Sequence, residues 1–260
     1  FCYTKENIFL YDFNNFVLKF GSLNTFNFRE YFFGDVRISI KYLPHLATDL
    51  IGYVKAILGL TKKCIVLDLD NTLWGRIVGK DVIEVIKLRN DPVWRSFIKF
   101  KKILLSLNKR GIILAINSKN NPSDALKVIN EHPNMILKEN NFASIVINWD
   151  DKVSNLKKIA NELNIGLDSM VFVDDDPVNR ELVKTHLPEV LTLDLPKDPS
   201  GYASVIMSVN DFNLLKITDD DLKRGFMYFQ EKKRKELEIS TTNIDDFLNS
   251  EIILFGVDDK

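Results

Sequence analysis

The chain has 260 residues, 45% of them hydrophobic and 27% charged, with a formal net charge of −1. That is an ordinary globular composition for one large domain, or for one medium domain with appendages. It has no basic excess to mark a nucleic-acid surface and no acidic tail, and no apolar run nears the roughly 20 residues of a membrane span, so neither nucleic acid nor a membrane is an expected partner.

Two cysteines, Cys2 and Cys64, form no disulfide framework and no Cys-rich metal site, which points to a reducing, cytoplasmic setting. The start, Phe1-Cys2-Tyr3, lacks an initiator Met and a basic leader region, and Ile252–Val257 reads as a strand. Both ends are expected to be cuts in a longer polypeptide.

Residues 1–60 are rich in Phe, Tyr and Asn, with a short strand expected at Ile8–Tyr11 and a helix over Leu46–Leu58. From 61 to 200, strands and helices alternate. Cys64–Asp68 is a short apolar run, hence a buried strand. Arg95–Arg110 sets Phe97, Phe100, Leu104 and Leu107 on one helical face, closed by Gly111. Ile112–Ile116 is the second strand, and Asn121-Pro122 opens a helix as cap and first residue. Ser144–Ile147, Met170–Val173 and Val190–Leu193 are the remaining strands, with helices after Lys152 and after Asp176-Pro177. Residues 201–260 read as mostly helical, with Asp219–Asp221 capping a charged helix through Lys235. The alternation predicts an α/β fold: a five-stranded parallel sheet with helices on both faces and flanking segments at each end.

Ligands in such sheets bind at the carboxyl ends of the strands, and the polar features gather there. Asp68-Leu-Asp-Asn-Thr72 follows strand one, Ser118 follows strand two, Lys152 opens the helix before strand four, and Asp174-Asp175 ends strand four. Each suits phosphoryl transfer. Asp68 is the candidate nucleophile, forming an aspartyl-phosphate. Because two anions repel, a cation is required: Mg²⁺ takes hard oxygen ligands, which Asp68, the backbone or side chain of Asp70, and Asp175 would supply. Lys152, Ser118 and Asn71 would bind the transferring oxygens. Asp70 would protonate the leaving oxygen and deprotonate water, its proton held by crowding among like charges. Asp174, Thr72 and Trp74 are supporting residues. Taken singly, each of these strings also suits a solvated cap or turn; their shared order and side of the sheet argue for a site.

The strings Lys63-Cys-Ile-Val-Leu-Asp-Leu-Asp-Asn-Thr-Leu-Trp-Gly75, Ser118-Lys-Asn120, Asn148-Trp-Asp-Asp-Lys152, Glu162-Leu-Asn-Ile-Gly-Leu-Asp-Ser169 and Phe172-Val-Asp-Asp-Asp-Pro177 resemble the motifs of the FkbH-like proteins, subfamily IIIC of the haloacid-dehalogenase (HAD) superfamily. The resemblance spans about residues 40–240. It implies a HAD-like Rossmannoid three-layer sandwich with a minimal cap, and Mg²⁺-dependent handling of a phosphorylated small-molecule donor, 1,3-bisphosphoglycerate. The glyceryl unit would be loaded onto the phosphopantetheine thiol of an acyl carrier protein in polyketide-type biosynthesis. Residues 1–60 would then be the tail of an SGNH-hydrolase-like domain, 61–200 the catalytic core, and 201–260 a helical extension leading to a further domain.

The sequence departs from that pattern at three positions. Asn117 stands where the family usually has a cysteine, a candidate acyl carrier. Cys64 is a poor substitute, four residues before Asp68 on one strand and so about 13 Å away; direct attack by the carrier thiol is expected instead. Arg76 replaces a usual Gly, and Asn179 a usual acidic residue, without loss of metal binding expected. The stretch Leu73–Asp91 is long enough only for a flap, leaving a site open to large substrates and prone to slow phosphatase activity. His45, His132 and His186 have no ligand spacing. Trp74 is expected either to stack on substrate or to cover the sheet edge, and Trp94 and Trp149 to be core or interface residues. Two other readings stay open: a plain Mg²⁺-dependent phosphomonoesterase acting on a sugar phosphate or phosphoprotein, and a catalytically silent interaction module.

Overall fold

The computed structural model describes residues 8–75, 92–132 and 134–213, and beyond them 227, 228, 230 and 234. The expected flap beyond Gly75, Arg76, Cys2, the Asp219–Asp221 cap and the Ile252–Val257 strand lie outside the described residues. The chain divides into two compact units, Phe1–Thr61 with Val209–Lys216, and Lys62–Ser208 with Ile217–Lys260.

The described part of the first unit is helical: α1 (Phe13–Phe20), α2 (Ser22–Thr25), α3 (Phe28–Gly34) and α4 (Leu43–Ile57). The strand expected at Ile8–Tyr11 is absent, and these residues have no regular structure. Tyr11 is fixed by its side chain instead, its hydroxyl donating to Asp49 at 2.8 Å. A short turn at Asn210–Phe212 packs on α4, where Lys55 pairs with Asp211. Gly52 permits this approach, because a Cβ there would lie 2.6 Å from the Asn210 Cβ.

The second unit is built on five parallel strands: β1 (Cys64–Leu67), β2 (Ile113–Ser118), β3 (Phe142–Ile147), β4 (Met170–Asp174) and β5 (Leu191–Asp194), in the order β3-β2-β1-β4-β5. The connecting helices are α5 (Pro92–Lys109), α6 (Pro122–Glu131), α7 (Lys152–Leu163) and α8 (Pro177–His186), with α9 (Tyr202–Met207) after β5. This is a HAD-like, Rossmann-type arrangement.

Its layering follows from strand alternation. Cys64, Val66, Ile113, Ala115, Met170 and Phe172 share a core with Val153, Leu156, Ile159 and Leu163 of α7 and with Val183 of α8. The intervening Ile65, Leu67, Leu114, Ile116, Val171 and Val173, all buried, face the other way, toward α5 and α9, where Phe100 meets Tyr202 edge-on at 5.8 Å. Both faces are covered, which explains why the central strands read as unbroken apolar runs. Gly111 ends α5 with φ 92°, and Ile112 N–H reaches back to the Leu107 carbonyl, a left-handed close that favours glycine.

No helix among the described residues is long and apolar enough to cross a membrane. Phe100 is wholly buried between α5, α9 and the sheet. Phe100→Ala is expected to cost about 3–5 kcal/mol of unfolding free energy, measured as a lowered urea midpoint at unchanged slope.

Candidate active site

The fold brings the distant motifs to one rim. From β1 the chain adds β2 and β3 on one side and then crosses to add β4 and β5 on the other, so the β1/β4 boundary is the point where the winding reverses, where such sheets open a crevice. Asp68 directly follows β1, its N–H donating to the Val173 carbonyl of β4 at 2.9 Å. Asp174 is the last residue of β4, Ser118 the last of β2, and Lys152 the first of α7.

Lys152 is the hub. Only 1% of it is exposed. Its Nζ donates to Asp68 Oδ1 at 2.6 Å and to the Asn117 carbonyl at 2.6 Å, and lies 3.2 Å from Asp174 Oδ2. An ammonium at a helix N-terminus meets the unfavourable end of the dipole, so these acceptors must compensate. Asp151, the N-cap, accepts from Ser154 N–H and closes the helix start.

The turn after Asp68 is tight. Asn71 adopts φ 53°, and the N–H groups of Thr72 and Leu73 both return to the Leu69 carbonyl. Tyr202 donates its hydroxyl to the Asn71 carbonyl at 3.0 Å, and Thr72 Oγ1 accepts from Asp175 N–H at 3.2 Å. Both oxygens of Asp70 are engaged, Oδ1 by the Trp74 indole N–H at 2.8 Å and Oδ2 by Asn120 Nδ2 at 3.2 Å. Their directions fix the plane of the carboxyl.

Asp68, Asp174 and Asp175 each offer a carboxylate oxygen, and the three oxygens lie within 4.8 Å of one another. Hard oxygen donors on this scale suit a small divalent cation. Burial pushes the Asp174 carboxyl up, against the pull of Lys152. Burial, with the charges of Asp174 and Asp68 beside it, pushes Asp175 up to about 6.

The structure redistributes the expected roles. Of the expected metal set, Asp68 and Asp175 stand in the carboxylate trio with Asp174, while the Asp70 side chain is bonded to Trp74 and Asn120, so that of the two expected routes for Asp70 the backbone carbonyl is the one these bonds leave open. Crowding among like charges is seen at Asp174 and Asp175. Asn71 directs its side chain at Asp175. Ser118 is buried at the strand end, its carbonyl accepting from Asn148 N–H. Asn179 donates its amide N–H to Asp174 at 3.2 Å. Trp74 is 2% exposed and does not offer a stacking face, whereas Trp149 is 74% exposed and so lies outside the core. Trp94 stacks on His132. Cys64 is wholly buried among apolar residues that push its thiol up, as expected of a core cysteine.

Sequence reasoning missed three residues: Asn155, bonded to Asn117; Asn120, on Asp70; and Arg180, whose Nη1 bridges the Asp174 and Asp175 carbonyls at 2.9 and 2.7 Å. An arginine in the first turn of α8, opposed to the helix dipole, was the available signal for the last.

A carboxyl raised in the fold contributes stability below its unfolded value of about 3.9 and loses it as pH rises through the folded value. For Asp175 that window is from about 4 to about 6. In metal-free protein, Asp175→Asn is therefore expected to gain Tm relative to the parent as pH rises across this window; a Tm difference that stays flat with pH contradicts the assignment.

No protein-family model matches the chain, and no curated protein matches it. Among solved structures, the N-terminal part of the protein BF1531 from Bacteroides fragilis, containing a phosphatase domain and complexed with Mg, is similar over 78% of this chain at 37% identity and a TM-score of 0.73. The match covers 54% of that solved chain, so this chain spans about half its length. An uncharacterised protein from Corynebacterium glutamicum is matched over 58% of this chain and 96% of its own, at 13% identity and a TM-score of 0.41.

Proposed function

We propose that this chain is a Mg²⁺-dependent phosphatase of the HAD type that works through an aspartyl-phosphate on Asp68. One observation carries the reading: three carboxylates within 4.8 Å of one another, with the buried Lys152 ammonium on two of them, at the carboxyl rim of a parallel sheet. The similar Bacteroides protein, described as containing a phosphatase domain complexed with Mg, supports it.

The donor set fits the ion, since Asp68, Asp174 and Asp175 offer hard oxygens and one ammonium leaves the trio net negative. Bound there, Mg²⁺ would supply positive charge that lets an anionic nucleophile approach an anionic phosphoryl group. Asp68 attacks phosphorus through a carboxylate oxygen as the bond from phosphorus to the leaving oxygen breaks. Asp70, held by Trp74 and Asn120, gives that oxygen a proton. Water then attacks the same phosphorus, Asp70 takes its proton, and phosphate leaves Asp68. Lys152 and Ser118 would hold the transferring oxygens throughout.

The finer reading, glyceryl loading onto an acyl carrier protein in a cytoplasmic polyketide-type pathway, rests on the FkbH-like motifs. Here the carrier thiol attacks the acyl carbon of 1,3-bisphosphoglycerate directly and the phosphate on that carbon leaves; the remaining phosphoryl group of the 3-phosphoglyceryl thioester is then transferred to Asp68 and hydrolysed, which leaves the glyceryl unit on the carrier. Buried Cys64 is consistent with there being no relay through it.

With p-nitrophenyl phosphate, turnover is expected to stop on chelation and return with Mg²⁺. Asp68→Asn is expected to be inactive, and Asp70→Asn to lower kcat by about 10²–10⁴. Full activity in Asp68→Asn sinks the mechanism. For the finer reading, incubation with 1,3-bisphosphoglycerate, Mg²⁺ and phosphopantetheinylated carrier protein is read by intact mass. A glyceryl gain on the carrier supports it; ester turnover with an unmodified carrier leaves a plain phosphomonoesterase, and a stable adduct on Cys64 refutes direct attack.

A further inference from the structure

We propose that Asn117 is a positioning residue for this phosphoryl transfer: with Asn155 and Asn148 it forms a chain of amides that clamps Lys152 at both ends and fixes where its ammonium points. The inference rests on the role given to Lys152 above.

The clamp is reciprocal. The Asn117 side chain donates to the Lys152 carbonyl at 2.9 Å, while the Asn117 carbonyl accepts from Lys152 Nζ at 2.6 Å. One residue at the end of β2 thus grips both the backbone and the head of a lysine on α7. The far side is held too. Asn155 Nδ2 donates to Asn117 Oδ1 at 3.1 Å, and Asn155 and Asn148 exchange hydrogen bonds at 2.8 and 3.1 Å. Asn148 N–H returns to the Ser118 carbonyl at 3.1 Å. The amide chain therefore links the phosphate-facing ends of β2, β3 and α7.

Position and burial argue against a filler role. Asn117 is 0% and Asn155 2% exposed. Alternation puts Asn117 on the face of Ile113 and Ala115, beneath α7. An apolar residue would fill that place at less desolvation cost, so what the amide adds is direction. A side chain at 117 serves the helix above it rather than facing substrate. Displacing a charged group by about 1 Å from its productive place is enough to cost about 10²-fold in rate.

A double-mutant cycle separates positioning from mere support. Asn117→Leu is expected to lower kcat on p-nitrophenyl phosphate by about 10–100-fold with KM changed less than about threefold. In a Lys152→Met background it is expected to do nothing further, within about twofold. Multiplicative losses in the double variant overturn the proposal. If Asn117→Leu does not fold, Asn155→Ala, which removes only the outer amide, is put through the same cycle with the same two outcomes. Mg²⁺ titration calorimetry on the four proteins gives a reading that needs no turnover, because Lys152 touches two of the three carboxylates. A wild type that binds Mg²⁺ without hydrolysis removes the functional reading while non-additive affinities keep the clamp; additive affinities remove the clamp.

Discussion

A buried ammonium between two buried carboxylates organises this molecule. Lys152 sits at the start of a helix, almost without solvent, with Asp68 and Asp174 on either side. Desolvating such charges costs several kcal/mol per ion unless geometry and further hydrogen bonds compensate. The compensation comes from the Asn117 carbonyl and from Asp176 N–H, which donates to Asp174. Replacement by apolar residues would be cheaper for stability alone. The balance is also incomplete by design of the charges: one ammonium faces three carboxylates, and two of them are pushed toward protonation. A site that is too negative at rest is one that gains from a divalent cation.

The rest of the sheet serves that cluster. Parallel strands on both sides of β1 deliver Asp68 and Asp174 side by side, in register with Leu67 opposite Val173. The apolar layers beneath α5, α7, α8 and α9 hold the strands, and the rim is then tied by polar props: Tyr202 on the Asn71 carbonyl, Thr72 under Asp175 N–H, Asn120 on Asp70. Each prop connects a different element to the β1 turn, so the nucleophile's position is determined from several directions at once.

Sequence alone made the sheet legible because buried parallel strands and capped helices have strong local signatures: Cys64–Leu67, the Asn121-Pro122 start and the Asp176-Pro177 start each appear within a residue or two of expectation. The failures have physical causes. Ile8–Tyr11 is apolar enough for a strand but pairs with no strand among the described residues, and is tied at Tyr11, by the side chain on Asp49 and the carbonyl on Phe13 N–H. Trp74 reads as either a stacking residue or a cover for the sheet edge, and neither reading foresees its indole N–H on Asp70. Asn117 reads from sequence only as the loss of a candidate acyl-carrier cysteine. Its meaning depends on Lys152 and Asn155, 35 and 38 positions away, and no local rule encodes that pairing.

The pairing of Asp174 with Asp175 is the last feature the strand pattern would not predict. Adjacent residues on a strand point to opposite faces, yet these two carboxylates lie within 4.8 Å of a common partner and of each other. The chain leaves β4 at Asp174 and turns at once, with Asp174 Oδ1 accepting from Asp176 N–H and Asp176 capping Val178 at the start of α8. Arg180 completes the turn by drawing the Asp174 and Asp175 carbonyls onto one nitrogen. The two carbonyls meet on the guanidinium, and a carboxylate oxygen of each residue lies within 4.8 Å of one on Asp68. The carboxylate trio is therefore a product of the first turn of α8 as much as of the sheet, and the arginine that from sequence opposes the helix dipole holds the backbone of that turn.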